Sequence, residues 1–211
     1  MSAIAERLLR GDAAAAPSAR ACIAVAAAGS AVFGGVLGAS SGEPALGLFA
    51  AVKLPLLLAL TSLFCLPTFW VVHAVFGLRD DFAAALRGLL SAQAVLGLTL
   101  AAMAPFAAFH TLSFVDPYAL TLLDAVLCGV ATLAAQQVLA RHYRPLIARD
   151  PRHRRTLASW LVLYAFTGVQ LAWVLRPFRG TPGFGVQFLR SEAFEQNAYV
   201  VLFEHLGRLF R

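Results

Sequence analysis

Residues 54–76 read LPLLLALTSLFCLPTFWVVHAVF, an apolar run without a single Asp, Glu, Lys or Arg. Roughly 20 such residues in helical form cross the hydrocarbon core of a bilayer. The run is apolar on every side, so it lacks the polar face that a surface helix of a soluble domain needs. Four further segments have the same character: about 21–39, 88–109, 118–140 and 156–175. Composition agrees, since 60% of the 211 residues are hydrophobic and 13% are charged, far from the balance of an ordinary soluble domain. The expected fold is all-α: a polytopic integral membrane protein with five transmembrane helices over residues 21–175, flanked by tails at 1–20 and 176–211.

Basic residues collect in alternate gaps. Arg7, Arg10 and Arg20 precede the first span, Arg79 and Arg87 follow the second, and Arg141, Arg144, Arg149, Arg152, Arg154 and Arg155 follow the fourth. The other two gaps, Ser40 to Pro44 and Val115 to Pro117, contain neither Lys nor Arg. By the positive-inside rule the N-terminus is cytoplasmic and, with five spans, the C-terminal tail is not. A bacterial cytoplasmic (inner) membrane is the expected location. The tail carries Arg176, Arg179, Arg190, Arg208 and Arg211, which weakens the charge asymmetry without reversing it. A cleavable signal peptide is the competing reading of the first segment, but its apolar run of nearly 19 residues exceeds the usual 7–15.

Within the first span Cys22, Ala26, Ser30, Gly34 and Gly38 recur at i+4 and lay a ridge of small residues along one face. Ser30, Gly34 and Gly38 are therefore candidate helix-packing residues, since small side chains let a second backbone approach closely. That second helix could belong to this chain or to a second copy. Apolar sequence begins at Ala45, ahead of the second span, and is interrupted by Lys53 and Pro55. This predicts a short interfacial helix followed by a crossing that starts near Lys53, whose ammonium would reach the headgroups. Pro67 and Pro105 are expected to bend the second and third spans.

Asp124 is the acidic residue that falls inside a span, two turns beyond Asp116-Pro117, which reads as a helix N-cap and first turn. An intramembrane carboxylate is a functional candidate by default. Lys53 and Arg176 are its expected partners from the same side of the membrane, with a hydrogen bond to Thr121 as the structural alternative. Gln93, Gln136, Gln137 and Gln170 supply interhelical hydrogen bonds.

No catalytic, metal or cofactor site is expected. Cys22, Cys65 and Cys128 lie singly in apolar segments, and no paired cysteine spacing, His-Glu-x-x-His, phosphate loop or Gly-x-Ser-x-Gly occurs. The five histidines are scattered along the chain, and only His73 lies well inside a span, where it reads as a packing residue near Trp70. The six arginines from Arg141 to Arg155 read as a polybasic juxtamembrane loop around Pro145 and Pro151. Lying between two spans, they have anionic lipid headgroups as their expected counter-ions, and nucleic acid is not an expected partner.

The ends are expected to lie on the membrane surface. Met1 to Arg10 and Asn197 to Arg211 have the pattern of short amphipathic interfacial helices. Between the last span and the latter, a phenylalanine-rich stretch with Phe178, Phe184, Phe188 and Phe194 is too apolar for a free linker and is expected to lie back over the helix ends.

Two motifs are familiar: Ala51-Val52-Lys53-Leu54-Pro55 with the later Leu66-Pro67, and Leu175-Arg176-Pro177-Phe178-Arg179-Gly180-Thr181-Pro182. Together they resemble a group of bacterial multi-span proteins with a Lys-x-Pro entry to an early span and a Leu-Arg-Pro-Phe-x-Gly-x-Pro exit from the last. That resemblance implies a fold class and no activity. The five-span layout is also similar to the Ypt-interacting protein (Yip) family. The expected role is a non-catalytic scaffold or accessory subunit, with a membrane protein partner or a second copy of the chain. A small transporter or channel using Asp124 with Lys53 is the alternative. A membrane enzyme with an outer-face site near His110, Asp116 and Arg176 is a further one.

Overall fold

The computed structural model describes residues 17–39, 43–113, 117–176, 178–179 and 187–189, without the side chains of 117–119, 121 and 122. The described residues hold five long helices and no strand: α1 (Ala19–Ala39), α2 (Pro44–Val75), α3 (Phe82–Ser113), α4 (Pro117–Arg149) and α5 (His153–Leu175). A 3-10 turn, Arg79–Asp81, leads into α3. All five helices are long and apolar enough to cross a membrane. The chain is an all-α, multi-pass membrane protein.

The helices form a ring. α1 lies between α2 and α3, α4 packs on α3, α5 packs on α2, and a lighter α4–α5 contact closes the circuit. Phe33, Phe69, Leu139 and Trp160, one from each of α1, α2, α4 and α5, are buried in the shared core with Ala92 and Leu96 of α3. A hydrogen bond from the Tyr164 hydroxyl to Gln93 Oε1 (3.2 Å) ties α5 to α3.

α1 can sit this deep because its ridge of small residues meets backbone. A Cβ on Gly34 would run into the Ala50 carbonyl, and one on Gly38 into the Leu46 carbonyl, both on α2. On a neighbouring face Gly29 meets Gly97 of α3, where an added Cβ would in turn lie 2.6 Å from the Ala26 carbonyl oxygen. Ser30 is fully buried between these contacts and returns its hydroxyl to the Ala26 carbonyl at 2.7 Å. The ridge is used inside the chain.

Three expectations need correction. The second apolar region is one continuous 32-residue helix from Pro44 through both Pro55 and Pro67, not an interfacial helix followed by a crossing. Each proline removes one backbone hydrogen bond. In a bilayer core no water competes for the freed carbonyl, and neighbouring helices and Ser/Thr side chains support the interruption. Lys53 is thus the tenth residue of a helix rather than its first, and it is fully buried. The polybasic stretch is likewise not a loop. α4 continues through Pro145 to Arg149, leaving only Asp150 to Arg152 as the connection to α5. Arg141, Arg144 and Arg149 are exposed on the last turns of α4, Arg152 on the connection, and Arg154 and Arg155 on the first turn of α5. Basic side chains are favourable at a helix C-terminus, where unpaired carbonyls concentrate negative charge. Third, α3 begins at Phe82, six residues ahead of the expected span. The two expected surface helices, Met1 to Arg10 and Asn197 to Arg211, lie outside the described residues, as does Asp116.

At the end of α2 the Gly77 backbone has φ +73°, a left-handed conformation open to glycine. The Leu78 amide bonds the His73 carbonyl (2.8 Å) and the Gly77 amide bonds the Ala74 carbonyl (3.1 Å), so the closing turn satisfies both last-turn acceptors. Leu78, immediately after, is buried. This tight reversal puts Arg79–Asp81 beside the α4–α5 connection.

Candidate functional site

Polar chemistry concentrates at the two ends of the ring. At the basic end, two connections clasp each other. The Asp150 carboxylate accepts from the Arg152 backbone amide (2.9 Å) and from its guanidinium (2.9 Å and 2.6 Å), which folds the connection into a compact turn. The Arg152 guanidinium beside it holds the Asp150 carboxyl below the usual carboxylate range. From there Arg152 Nη1 donates to the Phe76 carbonyl (3.0 Å) at the end of α2, and the Arg155 guanidinium lies over the Phe76 ring at 6.0 Å.

Beneath the clasp is a buried polar cluster drawn from four elements. His153, the first residue of α5, is fully buried, with Nε2 3.0 Å from Asp81 Oδ2 of the 3-10 turn. His73 of α2 is also fully buried, with Nδ1 3.0 Å from the Phe69 carbonyl one turn back. The two imidazole centroids are 6.1 Å apart, and Tyr143 of α4 lies 6.3 Å from His153. Thr156 donates to the His153 carbonyl at 3.0 Å. Phe69, Phe82 and Trp160 wall the group off.

The opposite end is built around the segment that follows α5. Arg179 forms a two-pronged pair with Asp124 of α4: Nη2 to Oδ1 at 2.8 Å, and Nε to Oδ2. Its Nη1 also donates to the Thr111 hydroxyl on α3 at 3.0 Å. One guanidinium thus joins the tail to two helices. Both members of the ion pair are mostly buried, at 17% and 16% side-chain exposure, and Phe178 beside it packs against the core. Further along, Phe188 stacks edge-on to Phe49 of α2 at 5.3 Å and covers the Lys53 ammonium at 5.0 Å. Of the phenylalanine-rich stretch, Phe178 and Phe188 lie against this end of the bundle, while Phe184 and Phe194 lie outside the described residues.

Of the ionisable residues picked from sequence, Asp124 and Lys53 belong to the same end but have different neighbours. Asp124 is held by Arg179, three residues beyond the expected Arg176. Arg176 instead stacks its guanidinium on Trp173 at 3.3 Å. His73 is a packing residue as expected, but among Phe69, Phe82 and His153. The sequence reading missed Arg179 because it lies beyond the helix in a turn-rich segment. It missed the His153–Asp81 pair because 72 residues separate the partners. Among the described residues no group of His, Cys, Asp or Glu is arranged to hold a metal ion. No family model, curated protein or solved structure matches this chain.

Proposed function

We propose that this protein is a non-catalytic scaffold or accessory subunit of a membrane assembly in the bacterial cytoplasmic membrane, with its N-terminus cytoplasmic and its C-terminal tail outside. The observation that carries the reading is that both ends of the ring are tied by residues distant in sequence. Arg179 engages both oxygens of Asp124 together with Thr111, and Arg152 and His153 clasp the connection at residues 76–81. A bundle closed by such ties is suited to presenting a fixed outer surface.

That surface is apolar. Val162, Phe166 and Val169 of α5 are 69%, 59% and 47% exposed, and they recur at helical spacing on the least enclosed helix of the ring. They suit lipid or a partner helix. At the basic end, Arg144, Arg149, Arg154 and Arg155 fit anionic headgroups, each charge near the surface contributing about 1 kcal/mol.

The test is purification of the tagged protein in mild detergent, with quantitative mass spectrometry of what co-elutes. A stoichiometric membrane partner, lost on Phe166→Ser, is the expected result. Isolation alone, combined with a flux in liposomes that Asp124→Asn abolishes without unfolding the protein, would replace this reading with transport.

A further inference from the structure

α4 carries its own row of residues at i+4, and unlike the ridge of α1 it points out of the bundle. Ala125, Gly129, Leu133 and Gln137 all lie on its exposed side. Nothing inside the chain accounts for two of them. Gly129 sits within the helix, where glycine weakens helical structure, yet a Cβ there would meet nothing within 4 Å. Gly34 and Gly38 of α1, by contrast, each meet a neighbouring backbone. Gln137 is the second. Of the four glutamines in the spans only this one is exposed, and its amide has no hydrogen-bond partner among the described residues. A helical side chain leans toward the helix N-terminus, which for α4 is the end away from Arg141 and Arg144. Gln137 therefore directs its amide toward the bilayer interior rather than toward the headgroups. Lipid tails offer it neither donor nor acceptor, and an amide left unpaired in hydrocarbon is unfavourable.

We propose that this face of α4 is the contact between two copies of the chain, with Gln137 hydrogen-bonded to Gln137 of the second copy. Copies inserted in one membrane share one orientation, so a two-fold axis along the membrane normal sets α4 residues opposite their own counterparts. Such symmetry asks for a group that complements itself. A primary amide does so: its N–H donates to the other copy's Oε1 while its own Oε1 accepts. A hydroxyl would not need the second copy, because it can turn back onto its own helix, as Thr132 does to the Cys128 carbonyl at 2.8 Å. Gly129 supplies the gap that lets the two backbones approach, and Leu133 between them fills the seam. One polar residue in an otherwise apolar seam also fixes the register of the two helices. Arg141 and Arg144 follow at the headgroup level, where anionic lipid screens their like charge. The apolar face of α5 belongs to another helix, so this contact goes beyond the accessory-subunit reading and does not depend on it.

The test uses the full chain with Cys128→Ser, reconstituted in liposomes that contain anionic lipid. Leu133→Cys is expected to form a disulfide-linked dimer on oxidation, and Val162→Cys on α5 is not. Energy transfer between labelled copies then measures association. Gln137→Leu should weaken it at least about threefold, the worth of a single hydrogen bond between membrane helices, whereas Gln137→Asn, which keeps both donor and acceptor, should weaken it less. Gly129→Leu should weaken association as well while circular dichroism stays that of the folded chain, since the space above Gly129 is open within one copy. A chain that is monomeric at every protein-to-lipid ratio, association indifferent to Gln137→Leu, or a dimer linked through Val162→Cys instead of Leu133→Cys would each overturn the proposal. So would cross-linking of Leu133→Cys in cells to a different protein.

Discussion

Asp124 and Arg179 are each mostly buried and pair with each other, so removing either breaks the pair. Breaking such a pair typically costs about 3–5 kcal/mol, because a charge is left uncompensated in a poorly solvated site. Asp124→Asn should therefore lower the thermal midpoint of the detergent-solubilised protein by several degrees. Arg179→Gln should do the same, and the double variant should lose less than the sum of the two. Additive losses would mean that the two residues act independently. Asp150 offers a contrast at the exposed basic end. Its carboxyl is held below the ordinary range by Arg152, so its contribution to stability is present above the unfolded-state pKa and disappears as pH falls through the folded one. Asp150→Asn should lower stability at neutral pH and leave it unchanged at the acid limit, which flattens the acid limb of a stability–pH profile. Because the pair is solvent-exposed, the change should be small.

Close approach of α1 to its neighbours rests on which glycine faces which backbone. Gly34→Ala and Gly38→Ala would each push a methyl into an α2 carbonyl, whereas a Cβ on Gly35 meets the Ala51 side chain at 3.6 Å and the Gly47 carbonyl oxygen at 4.0 Å, both ordinary contacts. Overpacking of this kind costs about 1–3 kcal/mol. The expected outcome is that Gly34→Ala and Gly38→Ala shift the melting temperature in fluorescence-detected size exclusion downward while Gly35→Ala does not. Equal effects at all three positions would contradict the observed register. The ridge at i+4 was legible in the sequence, and so were the five apolar segments, because both depend on local spacing alone. Helix ends were less legible. Lys53 and Pro55 looked like a boundary because a charge and a missing amide disfavour a buried helix, but Phe188 from the far end of the chain covers the ammonium. Pro145 looked like a loop signal for the same local reason, yet α4 runs through it to Arg149. The candidate sites were legible only in half: Asp124 and His73 stood out as polar groups in apolar runs, while Arg179, His153 and Asp81 acquire meaning only from contacts across 55 and 72 residues.

Charge is distributed between the ends of the ring in a way that makes its orientation testable. Arg20, Arg79, Arg87 and the six arginines from Arg141 to Arg155 all fall at one end, whereas Lys53, Arg176 and Arg179 are the described cations at the other. The cations of the second group are also sequestered, by Phe188, Trp173 and Asp124 respectively, so little of their charge is presented to the aqueous phase there. Asp80, Asp81 and Asp150 at the basic end do not change the comparison, since acidic residues contribute little to topology. The basic end should therefore face the cytoplasm. Single cysteines at Asp150 and Glu43, both at helix ends on opposite sides of the ring, can be probed with a membrane-impermeant maleimide in intact spheroplasts. Glu43→Cys should label directly and Asp150→Cys only after permeabilisation. Cys22 and Cys65 are buried, and replacing Cys128 with Ser would remove the remaining native thiol that is partly accessible. The opposite labelling pattern would place Arg144, Arg149, Arg154 and Arg155 on the outer face, away from the anionic cytoplasmic leaflet, and would remove the electrostatic reason for assigning them to lipid headgroups.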